Sequence, residues 1–108
     1  MVEQTKRLDA IFASLADPTR RDILKRVAKR ELSVSEIASP YQLTFAAISK
    51  HLVVLERAQL INKRREGKRQ LVRLAPRALK DADAYLRRDL AQWEQRLDRL
   101  DRFLTKQK

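Results

Sequence analysis

Leu8, Ile11, Phe12 and Leu15 recur at i, i+3, i+4 and i+7, one apolar face of a helix that ends near Ala16. Asp17 then Pro18 reads as an N-cap followed by the residue best suited to a first helical turn. A second helix is expected there, burying Ile23, Leu24 and Val27 and leaving Arg20, Arg21, Lys25, Arg26, Lys29 and Arg30 in water. Ser33 with Glu36 three residues on forms a capping box: the hydroxyl accepts from the Glu36 N–H and the carboxylate accepts from the Ser33 N–H. The short helix so opened buries Val34, Ile37 and Ala38, and Pro40 stops it at about Ser39. Thr44 caps a fourth helix that turns Ile48, Leu52 and Leu55 inward. Its opposite stripe is Ala46, Ser49, Lys50, Val53 and Arg57, with Phe45 at the N-terminal tip. Two short helices joined by "PYQL" make a helix-turn-helix over residues 33–58.

From Leu60 the period changes to two. Ile61, Lys63 and Arg65 run toward Glu66-Gly67, which holds the only glycine of the chain, and "KRQLVRL" runs back. Pairing across a Glu-Gly turn sets Ile61 opposite Val72 on the core face and predicts a hairpin over 60–74 with Arg64, Arg65, Lys68 and Arg69 at its tip. A helix-turn-helix followed by a basic hairpin is a winged helix.

After Pro76 a last helix is expected to about Thr105, a span of about 45 Å. Leu79, Leu86, Leu90, Trp93, Leu97, Leu100 and Leu104 recur mostly at alternating steps of four and three, with the small Ala82 on the same stripe. Such a stripe either packs on its own domain or forms a helix–helix seam, and this helix is longer than so small a body can cover. The expectation is a homodimer, with 1–16 and 76–105 as dimerisation helices and Leu8, Phe12, Leu86, Leu90, Trp93, Leu97 and Leu100 at the interface. The fold class predicted is mainly α with a β-hairpin wing: one winged helix-turn-helix domain over 1–108, with five helices and a long C-terminal dimerisation helix.

Composition narrows the chemistry. With 108 residues, 44% of them hydrophobic, the chain is one domain's worth of protein. No run of eighteen apolar residues and no secretion signal is present, so no membrane partner and a cytoplasmic location are expected. The net charge of +11 is uneven: residues 62–75 carry +5, whereas 31–61 carry −1. A clustered positive field favours a polyanion, nucleic acid first and an anionic membrane second, over the plainer reading of a solvated basic surface. With no cysteine, one histidine (His51) and no glycine-rich phosphate loop, neither catalysis nor a metal or other cofactor is expected. His51, beside the Ile48 and Leu52 face, reads as a packed structural histidine.

Helix-turn-helix proteins lay the second helix in the major groove with its N-terminal residues on base edges. On this chain those residues are Thr44, Phe45, Ala46, Ser49 and Lys50. Lys50 can donate to guanine, Ser49 to a base or phosphate, and Phe45 or Ala46 can meet a thymine methyl, although Phe45 suits core packing equally well. Arg64, Arg65, Lys68 and Arg69 of the wing suit phosphates or a neighbouring minor groove.

Laid out this way, the sequence resembles the ArsR/SmtB family of bacterial winged-helix repressors. The likeness rests on "LADPTRRDIL", "ELSVSEIA", "LTFAAISKHLVVLERAQLI" and "REGKRQLVRL", and covers Leu8 to Leu74. The resemblance implies a transcriptional repressor on double-stranded DNA with a near-palindromic operator. In the family's arsenic- and cadmium-sensing members the third-helix segment reads Glu-Leu-Cys-Val-Cys-Asp-Leu, and here Ser33 and Ser35 stand where both thiols would be. A hydroxyl is a poor ligand for soft metals, and the last helix has no histidine for the family's other metal site, so a branch without metal ligands is implied. Gln59 departs from the glycine usual after the recognition helix and carries a strain cost if left-handed. The competing function is a winged-helix module that binds RNA or a protein partner.

Overall fold

The computed structural model describes residues 2–106; residues 1, 107 and 108 of the expected domain lie outside the described residues. The elements run α1 (Val2–Leu15), α2 (Pro18–Lys29), β1 (Leu32–Ser33), α3 (Val34–Ala38), α4 (Phe45–Arg57), β2 (Ile61–Glu66), β3 (Arg69–Leu74) and α5 (Pro76–Lys106). Among the described residues this is a mainly helical fold with a small antiparallel sheet as its wing and a long last helix.

The helix starts are chemically specified. The Asp17 carboxylate accepts from the Arg20 N–H at 3.0 Å, and Pro18 opens α2. At α3 the Glu36 N–H donates to Ser33 Oγ at 3.1 Å while the Ser33 N–H donates to Glu36 Oε1 at 3.0 Å, a closed capping box. Ile11, Ile23, Ile37, Ile48, Leu52 and Leu55, drawn from all four of the first helices, are shut off from solvent. Burying each such side chain contributes about 1.5–3 kcal/mol. Ala78 and Ala82 bring α5 onto this core, and their small size permits its close approach.

Two of the arginines expected in water, Arg20 and Arg26, are half-buried on main-chain carbonyls. Arg20 donates from Nε to the Ser14 carbonyl at 2.9 Å and from Nη2 to the Ala13 carbonyl at 3.2 Å, closing the end of α1. Arg26 donates to the carbonyls of Ile37 and Glu36, each at 2.8 Å, and lies 5.3 Å over the Tyr41 ring, whose hydroxyl donates to Asp22. The last carbonyls of a helix have no partner within it, and a guanidinium with five donors satisfies two at once.

The sheet has three strands in the order β1-β3-β2, one more than the hairpin. β1 pairs Leu32 with Val72 and Ser33 with Leu71, so Ser33 is both strand residue and helix cap. The hairpin register also differs from the expectation. Ile61 pairs with Leu74, Lys63 with Val72 and Glu66 with Arg69, which makes the loop Gly67–Lys68 rather than Glu66–Gly67. Gly67 has φ +62 and Lys68 has no positive φ. Positive φ at the first loop position alone belongs to a type II′ turn, which wants glycine there and follows the twist of the strands. A slip of two residues keeps every side chain on its face, so Ile61 and Val72 remain in the core.

Gln59, between α4 and the wing, has φ 61. The Leu60 N–H donates to the Leu55 carbonyl at 3.0 Å and the Gln59 N–H to that of Glu56 at 2.9 Å, the paired bonds of a Schellman cap. Leu55 and Leu60 are both fully buried beside this reversal.

Candidate nucleic-acid interface

Between the start of α4 and the wing lies an open cleft of about 490 Å³. Phe45, Ser49 and Val53 line its α4 side; Lys63, Arg65 and Lys68 line the other. Thr44 Oγ1 accepts from the Ala47 N–H at 3.1 Å, which caps α4 and leaves the hydroxyl proton free to donate. The first turn of α4 contains no acidic side chain, so nothing there opposes the partial positive charge of the helix end.

Phe45 is 61% exposed, which removes core packing as its role. Ala46 and Lys50 are exposed and Ser49 is half-buried, while Ile48, Leu52 and Leu55 on the reverse of the helix are core. The α4 residues expected at bases thus form one outward surface.

The wing cations fall into two sets. Along β2, Lys63 and Arg65 share a face and border the cleft, whereas Arg64 points away into a carboxylate pair. Arg64 donates from Nε and Nη2 to the two oxygens of Glu31 at 2.9 and 2.6 Å, and its Nη2 lies 3.2 Å from Glu66. Arg69 borders the cleft but lies 2.9 Å from Glu36 Oε1. Arg65 and Lys68 have no carboxylate partner within 4 Å among the described residues.

The hydrogen bonds from Arg64 hold the Glu31 carboxyl below its ordinary range and in turn raise the guanidinium. Glu36 is held low first by the Ser33 backbone N–H and then by its hydroxyl, with Arg30 and Arg69 adding to the effect. The acids of 31–36 therefore stay ionised opposite the wing.

Lys63 was missed by sequence reasoning, although its alternation with Arg65 marks it as a cleft residue. Its side chain is 15% exposed and lies 3.4 Å from Glu56 at the end of α4, bracing the wing against that helix. His51 Nδ1 is 3.3 Å from Arg20 Nη1, the structural setting expected for it. Ser33 is buried and its hydroxyl is engaged in the capping box; Ser35 is exposed.

Beyond the body, Leu86, Leu90, Trp93, Leu97 and Leu100 of α5 are each 52–59% exposed in the single chain. Leu8 and Phe12 are half-buried, with the Phe12 ring 6.0 Å from that of Tyr85.

A capped short helix, an outward second helix and a basic hairpin flanking one cleft define a winged helix-turn-helix regulator of transcription. A helix-turn-helix domain family matches residues 15–64. The chain is 36% identical over 94 residues to the HTH-type transcriptional regulator Rv2034 of Mycobacterium tuberculosis, covering 83% of this chain and 88% of that protein. An ArsR-like transcriptional regulator from Rhodococcus sp. RHA1 superposes with a TM-score of 0.82 at 28% identity, over 92% of this chain and 93% of the other. The homodimeric winged helix-turn-helix DNA-binding domain of Mb0332 from Mycobacterium bovis has a TM-score of 0.61 at 30% identity, over 82% and 81% of the two chains. The chain belongs to the ArsR/SmtB family of transcriptional regulators.

Proposed function

We propose that this protein is a homodimeric, sequence-specific repressor that occupies operator DNA in the cytoplasm, without enzymatic activity and without response to metals. The observation carrying the reading is the cleft that sets Phe45 and Ser49 of α4 opposite Arg65 and Lys68 of the wing. In this reading Thr44, Phe45, Ala46, Ser49 and Lys50 enter a major groove. Arg65 and Lys68 meet phosphates, with Arg64 and Arg69 joining only by exchanging carboxylate for phosphate.

The dimer is supported by the exposed stripe on α5, for which a second copy offers an identical surface, and by the homodimeric M. bovis relative. A two-fold dimer presents two α4 helices to half-sites about 34 Å apart and reads an inverted repeat. Indifference to soft metals is supported by the hydroxyl at Ser33, which already serves as a helix cap.

The test is selection of duplexes from a random DNA pool at roughly physiological salt, with wild type beside a Ser49→Ala, Lys50→Ala variant. Enrichment of an inverted repeat by wild type and its loss in the variant is the expected result. Salt-sensitive binding without enrichment in either protein overturns the reading and moves RNA or a protein partner to the front. Adding cadmium or arsenite to the bound complex is expected to leave its affinity unchanged.

A further inference from the structure

We infer that the cleft between α1 and α5 binds a small organic carboxylate. Its volume is about 200 Å³, the space of about seven liquid waters. Among the described residues three guanidiniums border it, Arg7 from α1 with Arg77 and Arg88 from α5, against the single carboxylate of Asp81. Arg7 Nη2 pairs with Asp81 Oδ2 at 2.6 Å, while Arg7 Nε is buried without a hydrogen-bond partner among the described residues. That N–H has no accessible surface and lies out of reach of an occupant, so the charge open to one is that of the exposed Arg77 and Arg88. Arg77 and Arg88 have no ion pair among the described residues.

The remaining lining is apolar. Leu8 and the fully buried Ile11 come from α1, and Ala84, with only a methyl group, leaves room above them. Positive rim and apolar floor together select an anion with a hydrophobic body over an inorganic anion. A planar carboxylate is matched in two dimensions by a guanidinium edge.

The cleft is separate from the DNA-facing surface and from the leucine stripe. Arg77, Asp81, Ala84 and Arg88 recur at steps of four, three and four, which places them on roughly the opposite side of α5 from Leu86, Leu90 and Trp93. An occupant there competes neither with the DNA-facing surface nor with the α5 stripe, Leu8 being the one lining residue also expected at the dimer interface, and its binding does not depend on the repressor reading.

The probe is benzoate, titrated into the full-length protein and followed by amide NMR shifts, with inorganic phosphate and benzyl alcohol in parallel. Saturable binding with a Kd of about 1 mM or below, with shifts confined to residues around Arg7, Ile11, Ala84 and Arg88, is expected for benzoate alone. Arg88→Gln and Arg77→Gln alter exposed positions, so the fold is retained, and each is expected to weaken benzoate about tenfold. No saturable shift overturns the inference. So does equal competition by phosphate, which would mean an unselective basic surface, or benzoate binding unchanged in both variants.

Discussion

The Arg20 guanidinium meets Nδ1 of His51 at 3.3 Å and so joins the first turn of α2 to the middle of α4. A guanidinium only donates, so Nδ1 is the acceptor and the neutral ring carries its proton on Nε2. The same side chain holds the Ala13 and Ser14 carbonyls, and one arginine thereby fixes the mutual placement of three helices. Arg20→Ala leaves the Ser14 carbonyl without this donor, while that of Ala13 keeps the Ala16 N–H at 3.2 Å, and is expected to lower stability by about 1–3 kcal/mol in urea unfolding. A fully stable variant would show that the bonds contribute nothing net.

Gln59 occupies a left-handed conformation that costs a side-chain-bearing residue about 1–2 kcal/mol, partly recovered by the lower entropy of its unfolded chain. Gln59→Gly is expected to raise stability by up to about 1 kcal/mol, whereas Gln59→Ala is expected to bring no gain. Thermal unfolding of the two variants separates relief of strain from loss of the side chain.

Glu36 serves the capping box and Arg69 at once. Its folded pKa lies below 4.5, so its contribution to stability is complete above that value and is lost as pH falls through the folded pKa. Glutamine is also accepted at this capping position, so Glu36→Gln keeps the box and removes the charge. The wild type is expected to lose melting temperature more steeply than Glu36→Gln between about pH 5 and about pH 3. Parallel curves would show that the ion pairs of Glu36 add nothing.

On DNA, the two sets of wing cations are expected to behave differently. Arg65→Ala or Lys68→Ala removes an uncommitted charge and is expected to weaken binding across all sequences, reducing the salt slope by about one. Arg64→Ala removes a charge already countered by Glu31 and is expected to change the slope by less than half as much. Equal effects at all three positions would show that the Glu31 pair opens on binding.

Leu90→Asp with Leu97→Asp places two carboxylates in the α5 stripe. Burying them unpaired is expected to weaken self-association at least about a hundredfold, read by sedimentation. An unchanged monomer–dimer distribution would remove this stripe from the interface.

Helix starts were the most legible part of the fold, because Asp17-Pro18 and Ser33…Glu36 act through bonds three residues apart. The core faces of α2 and α4 followed from period alone. The hairpin was legible in kind but not in register, since one glycine fits either position of a two-residue loop and only backbone twist decides. β1 was hidden because two residues have no period. At the candidate site, α4 was readable as a stripe. The pairing of Arg64 with Glu31 and Arg69 with Glu36 was not, because each joins residues 33 positions apart. Arg20 and Arg26 were misplaced for a related reason: their carbonyl partners are main-chain groups, which composition does not mark.

The strand order leaves β2 at the margin of the sheet, with one row of its N–H and C=O groups unpaired by any neighbouring strand. Such a margin invites pairing with another chain, and lysine and arginine along it are a common deterrent to aggregation. The run Lys63, Arg64, Arg65 is such a deterrent, and two of the three, Lys63 and Arg65, also border the cleft. Variants that neutralise several of these residues together carry a hazard of fibrous self-association that none of the single replacements has.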